Sequence, residues 1–426
     1  MRSIGLLGAV AIGIGGMVGG GIFAVLGEAV SLAHGATAFS FFIAGIVALL
    51  SAYAYTKLST TYMSEGGTVV FIDKAFGDNI LSGSINVMLW LSYIVTISLY
   101  ATAFASYGET FFNAKTSLLH HILICVAIIL PAVINIVSAS FVGRSEFIIV
   151  LIKVGLLLLI IVVGAPYVDM ERLDPHHWGS SLSIITAGMI IFVAYEGFEL
   201  IANAAEDIKE PEKNLPLAFY ISVLSVIGLY IAISVITVGS VDEASLMDAK
   251  DYALALAAKP SLGQTGFIIV SIAALLSTFS AINATIYGNA RLGYTLAKEG
   301  ELPKEMAMQK RDVPFMGVVY TTIFSLVLAN SIDLNEIAII GSAGFLLIFL
   351  VVNISAYKLY KEIKAKRSII GVAIIFSFFA LVTLLLHTYS SNPHAVIIFL
   401  GFIVISMVFE LVYGRFVRKQ MCNRKY

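Results

Sequence analysis

Twelve times this chain runs apolar for long enough to cross a bilayer, and no motif constrains its fold as strongly. The stretches fall at about 4–32, 36–58, 80–112, 118–138, 146–165 and 182–205. A second set falls at about 216–239, 263–297, 315–331, 335–357, 369–388 and 395–414. A helix needs about 20 apolar residues to span the hydrocarbon core. Backbone groups at that depth have no water to bond, which leaves helices as the workable element for such runs. Hydrophobic residues make up 59% of the chain and charged ones 12%, about half the charged share of a soluble domain. The intervening segments, near 59–79, 166–181, 240–262 and 298–314, are too short for cores of their own. The sequence predicts an all-α integral membrane protein, with residues 1–426 forming one polytopic unit in the plasma membrane.

Charge fixes the expected orientation. With both termini cytoplasmic, 21 of the 26 Lys and Arg residues lie in cytoplasmic loops and flanks. Only Lys115, Arg172, Lys250 and Lys259 lie opposite, and Lys153 lies within the membrane. That sorting follows the positive-inside rule along the whole chain. A net charge of −1 argues against nucleic acid as a partner, and Cys125 and Cys422 are placed too far apart to suggest a disulfide. The first stretch begins at Ile4 without a basic leader region and is rich in glycine, so it reads as a span and not as a cleaved signal.

Lys153 interrupts Phe147–Gly164, a run otherwise apolar throughout. An ammonium near a helix centre costs about 2.5–3.5 kcal/mol on insertion scales, so an unpaired one is hard to retain without a use. Desolvation makes an amine easier to deprotonate, which suits a residue that loads and releases a proton. The plainer alternative is a lysine that pins helix ends through backbone carbonyls.

Two stretches are broken. The first holds Gly13-Ile-Gly15-Gly16-Met17-Val18-Gly19-Gly20-Gly21, six glycines in nine positions. Each costs a helix about 1 kcal/mol relative to alanine. Five stretches later, Tyr195-Glu196-Gly197-Phe198-Glu199 places a glycine and two carboxylates in mid-span. Broken helices at corresponding places in two five-helix halves point to an inverted-repeat transporter. The amino terminus of a half-helix offers N–H groups to a carboxylate, and the carbonyls closing the preceding half suit an ammonium. Both together suit an α-amino acid. Its carboxylate is expected on Gly20, Gly21 and Ile22, and its ammonium near Met17 and Tyr195–Glu196.

Four ordered segments resemble the amino acid–polyamine–organocation (APC) superfamily. They are Met17–Phe23, Glu65-Gly-Gly with Lys74–Gly77, Glu206–Ala218 with its Lys-Glu-Pro-Glu-Lys-Asn-Leu-Pro core, and Arg291–Pro303. Val142–Lys153 and Asn283–Gly288 are similar to proton-coupled archaeal members of that superfamily. The resemblance implies a LeuT-type fold with 12 transmembrane helices. Helices 1–5 (residues 1–165) and 6–10 (182–357) would form the 5+5 inverted repeat, with helices 1 and 6 broken, and 369–414 would supply two peripheral helices. In sodium-coupled relatives an ion lies between helices 1, 5 and 8. In the proton-coupled type a lysine ammonium takes that place, so the proton is the coupling ion and no cofactor is implied.

Carried over, Lys153 contacts the Gly15 carbonyl and faces Ser277 and Ser280, with Glu199 supporting proton coupling. Its protonated form is expected to hold helices 1, 5 and 8 together and to favour the outward-facing state. The implied substrate site comprises Met17, Gly19, Gly20, Gly21, Ile22, Tyr93, Phe192, Ala194, Tyr195, Glu196 and Phe198. Two departures stand out: Val193 occupies the usual position of an aromatic gate, and Glu196 a position commonly neutral. A carboxylate there leaves both neutral and cationic side chains open.

The function expected is secondary active uptake of an amino acid by proton symport, with the bilayer and a small amino acid as partners. Exchange of one amino acid or polyamine for another uses the same architecture, and a nutrient receptor on this fold is the remoter alternative. No His-Glu-x-x-His and no Ser with a partnered His supports a membrane enzyme. His120-His121 and His176-His177 lie in external loops without clustered ligands, so no metal site is expected.

Overall fold

The computed structural model describes residues 2–64, 66–77, 79–113, 116–137, 139–310 and 313–417, with backbone alone for 139–147 and Lys250. Glu65, Lys115, Arg311 and the tail containing Cys422 lie outside the described residues, and the side chain of Arg144 is likewise outside them. Among the described residues every regular element is a helix. In order they are α1 (Leu6–Met17), α2 (Gly21–Ala33), α3 (Thr37–Thr61), α4 (Thr68–Phe76), α5 (Ile80–Glu109), α6 (Ser117–Val137), α7 (Ala139–Gly164), α8 (Ser181–Ile190) and α9 (Leu200–Asn203). There follow α10 (Pro211–Ser240), α11 (Glu243–Asp248), α12 (Ala253–Ala257), α13 (Lys259–Lys298), α14 (Phe315–Ala329), α15 (Leu334–Lys358), α16 (Arg367–Ser391) and α17 (Pro393–Phe416).

Among the described residues ten helices are long and apolar enough to cross a membrane, α8 through α9 counting as one, and α1 with α2 makes an eleventh bent by 48°. The remaining apolar stretch forms α14, whose 15 residues extend only about 22 Å. Helices α5 and α15 and the α8–α9 span are 89% buried over their apolar windows, whereas α6, α7 and α17 are 28% buried. The first group is therefore the centre of the bundle, and the second turns most of its surface to lipid.

Helix α7 illustrates how the sequence sorts those faces. Leu151, Ile152 and Val162 are exposed, while Val150, Lys153, Leu157 and Ile160 are buried. The buried four recur at intervals of three and four, one stripe of a helix. Lys153 is thus the one charged member of an inward apolar stripe, only 3% exposed.

Both expected breaks are present. Helix α1 closes with the Val18 N–H on the Ile14 carbonyl at 2.7 Å, and α2 starts only at Gly21. In the sixth span α8 tightens into a 3₁₀ turn over Ile191–Tyr195. The chain is extended at Glu196 (ψ 143°) and left-handed at Gly197 (φ +117°). The breaks press on each other: a Cβ on Gly16 would lie 2.6 Å from the Gly197 carbonyl oxygen, and one on Gly197 would lie 2.7 Å from the Met17 nitrogen. A second tie joins the same spans. Ile4 bonds through its N–H to the Asp207 carbonyl at 2.9 Å, and its own carbonyl accepts from Lys209 at 2.8 Å. The start of α1 is therefore latched to the chain just beyond α9.

Gly197→Ala should destabilise the protein by about 2–5 kcal/mol, from left-handed strain and backbone overlap with Gly16. Gly155→Ala is the matched control, because a Cβ there meets nothing within 4 Å. Thermal unfolding in detergent should show a clear fall in Tm for the first and none for the second.

Candidate substrate and proton site

Breaking α1 leaves its final carbonyls without helical partners. Three helices supply donors to them. Lys153 of α7 donates to the Gly15 carbonyl at 3.0 Å, Tyr230 of α10 to that of Met17 at 2.7 Å, and Ser277 of α13 to that of Gly19 at 2.8 Å. The Tyr230 hydroxyl is shared with the Ala194 carbonyl of the other break, 3.1 Å away. An ammonium on the last turn of a helix also meets the negative end of its dipole. Lys153 and Ser277 thus engage different carbonyls of the same break. Ser280, one turn beyond Ser277, is buried on that face.

Helix α5 brings three tyrosines at seven-residue spacing, two turns apart on one face. Tyr93 donates to Glu199 Oε1 at 3.3 Å, and Tyr100 donates to Glu196 Oε2 at 3.3 Å. Tyr107 donates to the Phe23 carbonyl at 3.3 Å. Glu199 Oε2 accepts the Gly197 N–H at 2.8 Å. Of this ladder the sequence reading singled out Tyr93 alone. The heptad repeat of Tyr93, Tyr100 and Tyr107 was a visible sign of the other two; nothing in the sequence marked Tyr230.

A cavity of about 380 Å³ opens from this region towards the loops carrying Gly66 and Asp207 and the last turns of α13 at Arg291 and Thr295. In the orientation expected from the Lys/Arg distribution, this is the cytoplasmic side. Its inner walls include Gly15, Gly16, Tyr93, Tyr100 and Glu196, a volume within the range of small-molecule sites. On the opposite side a basin of about 840 Å³ contains Glu109, Asp248, Asp251 and Asp333. Between the two, Phe23 packs edge-on against Tyr107 with ring centres 6.1 Å apart. The conformation is therefore closed on the basin side and open on the side of Gly66 and Asp207.

The remaining candidate residues sit deeper than the cavity wall. Met17, Ile22, Phe192, Ala194, Tyr195 and Phe198 are fully buried, as is the backbone of Gly19, Gly20 and Gly21. The Tyr100 ring lies directly over Gly20, and a Cβ on Gly21 would come 2.8 Å from the Ala194 Cα. Phe192 and Phe198 both pack on Phe349, and Tyr195 donates to the Phe41 carbonyl at 2.8 Å. Val193, where an aromatic gate was sought, is held through its N–H by Ser342 at 2.9 Å. Tyr100 instead covers the start of α2. The Lys153–Gly15 bond is made in this conformation.

Away from the cavity, Asp73, Glu299 and Glu301 bring carboxylate oxygens within 4.8 Å of one another. The Asn86 amide donates to Asp73 at 3.3 Å and to Glu301 at 3.1 Å, tying α4 and the segment after α13 to α5. We assign no metal there.

A bundle of membrane-spanning helices with two touching breaks and a cavity ending on them defines a multi-pass membrane transporter. A family model described as amino acid permease matches residues 4–409. The chain is 34% identical to an uncharacterized protein of Methanocaldococcus jannaschii, covering 100% of this chain and 98% of that one. It is 33% identical to the inner membrane transport protein YbaT of Escherichia coli, with 97% of each chain covered. It is 24% identical to the branched-chain amino acid permease BcaP of Bacillus subtilis, over 97% of this chain and 93% of the relative. The chain belongs to the amino acid permease family of the APC superfamily, a family of transporters and not of enzymes. Amino acid transport across the cell membrane is its activity.

Tyr230→Phe removes the donor that Met17 and Ala194 share. Two buried carbonyls then lose a partner, a cost of about 1–3 kcal/mol. Thermal unfolding in detergent should register it as a lowered Tm; an unchanged Tm would mean that the two breaks do not depend on this bond.

Proposed function

We propose that the protein is a proton-coupled amino acid symporter that works by alternating access, with Lys153 as the coupling residue. The observation that carries this reading is the 3.0 Å bond from Lys153 Nζ to the Gly15 carbonyl. It joins α7 to the end of a broken helix that borders the cavity. A protonated amine supplies both hydrogen bonds and a charge for the α1 dipole, whereas a neutral amine loses the charge. Proton loss through the cavity therefore loosens α1 from α7. Because Ile4 is paired with the 207–209 segment, α1 and the inner end of the sixth span would move together.

The substrate α-carboxylate is assigned to the N–H groups of Gly20, Gly21 and Ile22, at the positive end of α2. Reaching them requires the Tyr100 ring to leave Gly20. Loading would then exchange a tyrosine lid for substrate, which links occupancy to the state of α5 and the breaks.

Lys153→Ala, reconstituted in proteoliposomes, should retain substrate binding but lose uptake driven by an inward proton gradient. Removing a charge-assisted hydrogen bond of about 1.5–3 kcal/mol corresponds to roughly a tenfold or greater loss. Lys153→Arg keeps a permanent charge and should also fail to accumulate substrate. Counterflow at equal pH separates the alternatives: an exchanger needs internal substrate whatever the gradient. Wild-type accumulation by either variant, with normal dependence on ΔpH, would leave Lys153 a purely structural tie.

A further inference from the structure

A buried acidic residue lines the cavity, and the hydrogen bonds around it say where a proton belongs. Glu196 lines the cavity wall, while Glu199, 1% exposed, stands behind it. Glu199 accepts at both oxygens, from Tyr93 at 3.3 Å and from the Gly197 N–H at 2.8 Å. Glu196 accepts from Tyr100 at one oxygen. The two buried carboxyl groups stand three residues apart across the break. Two neighbouring negative charges away from water would repel strongly, which favours one proton in the pair. With Glu199 already committed as an acceptor on both sides, Glu196 is the member placed to hold the proton, and it is the one facing the cavity.

We propose that Glu196 is a conditional counter-ion that lets one site take both neutral and cationic amino acids. With a neutral substrate, Glu196 stays protonated and presents an uncharged polar surface. With lysine, arginine or ornithine, the side-chain cation displaces the Glu196 proton. The products are a carboxylate paired with the substrate cation and one proton released to water in the cavity. Glu199 stays in place as the fixed acceptor, and Tyr100 is the donor that steadies Glu196 in either state. This deepens the transport reading of the cavity and rests on it.

The groups facing the pair do not supply a competing switch. They are the hydroxyls of Tyr55 on α3, Tyr93 and Tyr100 on α5, and Tyr230 on α10. Helix α15 presents Phe345 and Phe349 to this region. The cations on neighbouring walls are Lys153, which bonds the Gly15 carbonyl, and Arg291 at the mouth, stacked on Tyr287 with its guanidinium 4.7 Å from the ring centre. Asp207 is the acidic group at that mouth.

The test compares L-lysine with L-alanine on the full-length protein, by equilibrium binding at equal pH on both sides, between about pH 5.5 and 7.5. A ligand that displaces one proton gains affinity by up to roughly tenfold per pH unit while the group is protonated. The lysine-to-alanine affinity ratio should therefore rise several-fold per unit in the wild type and become flat in Glu196→Gln. Proton release into weak buffer gives a second readout on the wild-type protein alone. Lysine should liberate about one proton more than alanine, a difference that cancels any proton movement at Lys153 common to both. Equal release by the two amino acids, a flat wild-type ratio, or a slope that survives Glu196→Gln would each overturn the proposal. Failure of both amino acids, and of other amino acids tried, to bind would instead remove the transport reading, and this inference with it.

Discussion

Open backbone at membrane depth has to be satisfied by protein, and this requirement organises the centre of the molecule. Breaking α1 exposes the carbonyls of Gly15, Met17 and Gly19, and each draws a side-chain donor from a different helix. Lysine, tyrosine and serine serve alike as donors here. Of the three, the lysine is the one that donates as a cation, so its tie carries a charge as well as a hydrogen bond. Any movement of α1 must exchange these bonds for others, because leaving the carbonyls bare costs on the order of 1–3 kcal/mol each.

The two breaks also restrict each other. Gly16 and Gly197 meet backbone to backbone with no room for a Cβ, and Tyr230 bonds a carbonyl from each. The Ile4 pairing adds a third link just before the start of α1. Taken together these contacts make the first and sixth spans one mechanical piece, set between α5, α10 and α13. Helix α5 reads the state of that piece through Tyr93, Tyr100 and Tyr107, which touch Glu199, Glu196 and the Phe23 carbonyl respectively. A substrate that shifts Tyr100 would disturb a ladder spanning about 21 Å of helix, fourteen residues at 1.5 Å each.

Much of this was legible beforehand because the causes are local. Spanning length, the glycine content of the first break, and Glu196-Gly197 in the sixth follow from what a helix tolerates in an apolar solvent. The buried position of Lys153 follows from its place in the stripe with Val150, Leu157 and Ile160. The resemblance to the APC superfamily supplied the Gly15 contact, which is a tertiary fact carried by homology. Not legible was what covers the start of α2: Tyr100 lies over Gly20 and Ala194 over Gly21.

Sequence alone determined the apolar spans, the two weak points in them, and a lysine where only a partnered charge can stay, since each depends on residue chemistry against a hydrocarbon surround. Only the tertiary structure decided which donor meets which carbonyl, that Tyr230 joins the breaks, and that Glu196 faces the cavity while Glu199 stands behind it. Those outcomes depend on the rotation and depth of helices brought together from far apart in the chain. A change of one turn in that packing would reassign every partner while leaving the apolar pattern intact.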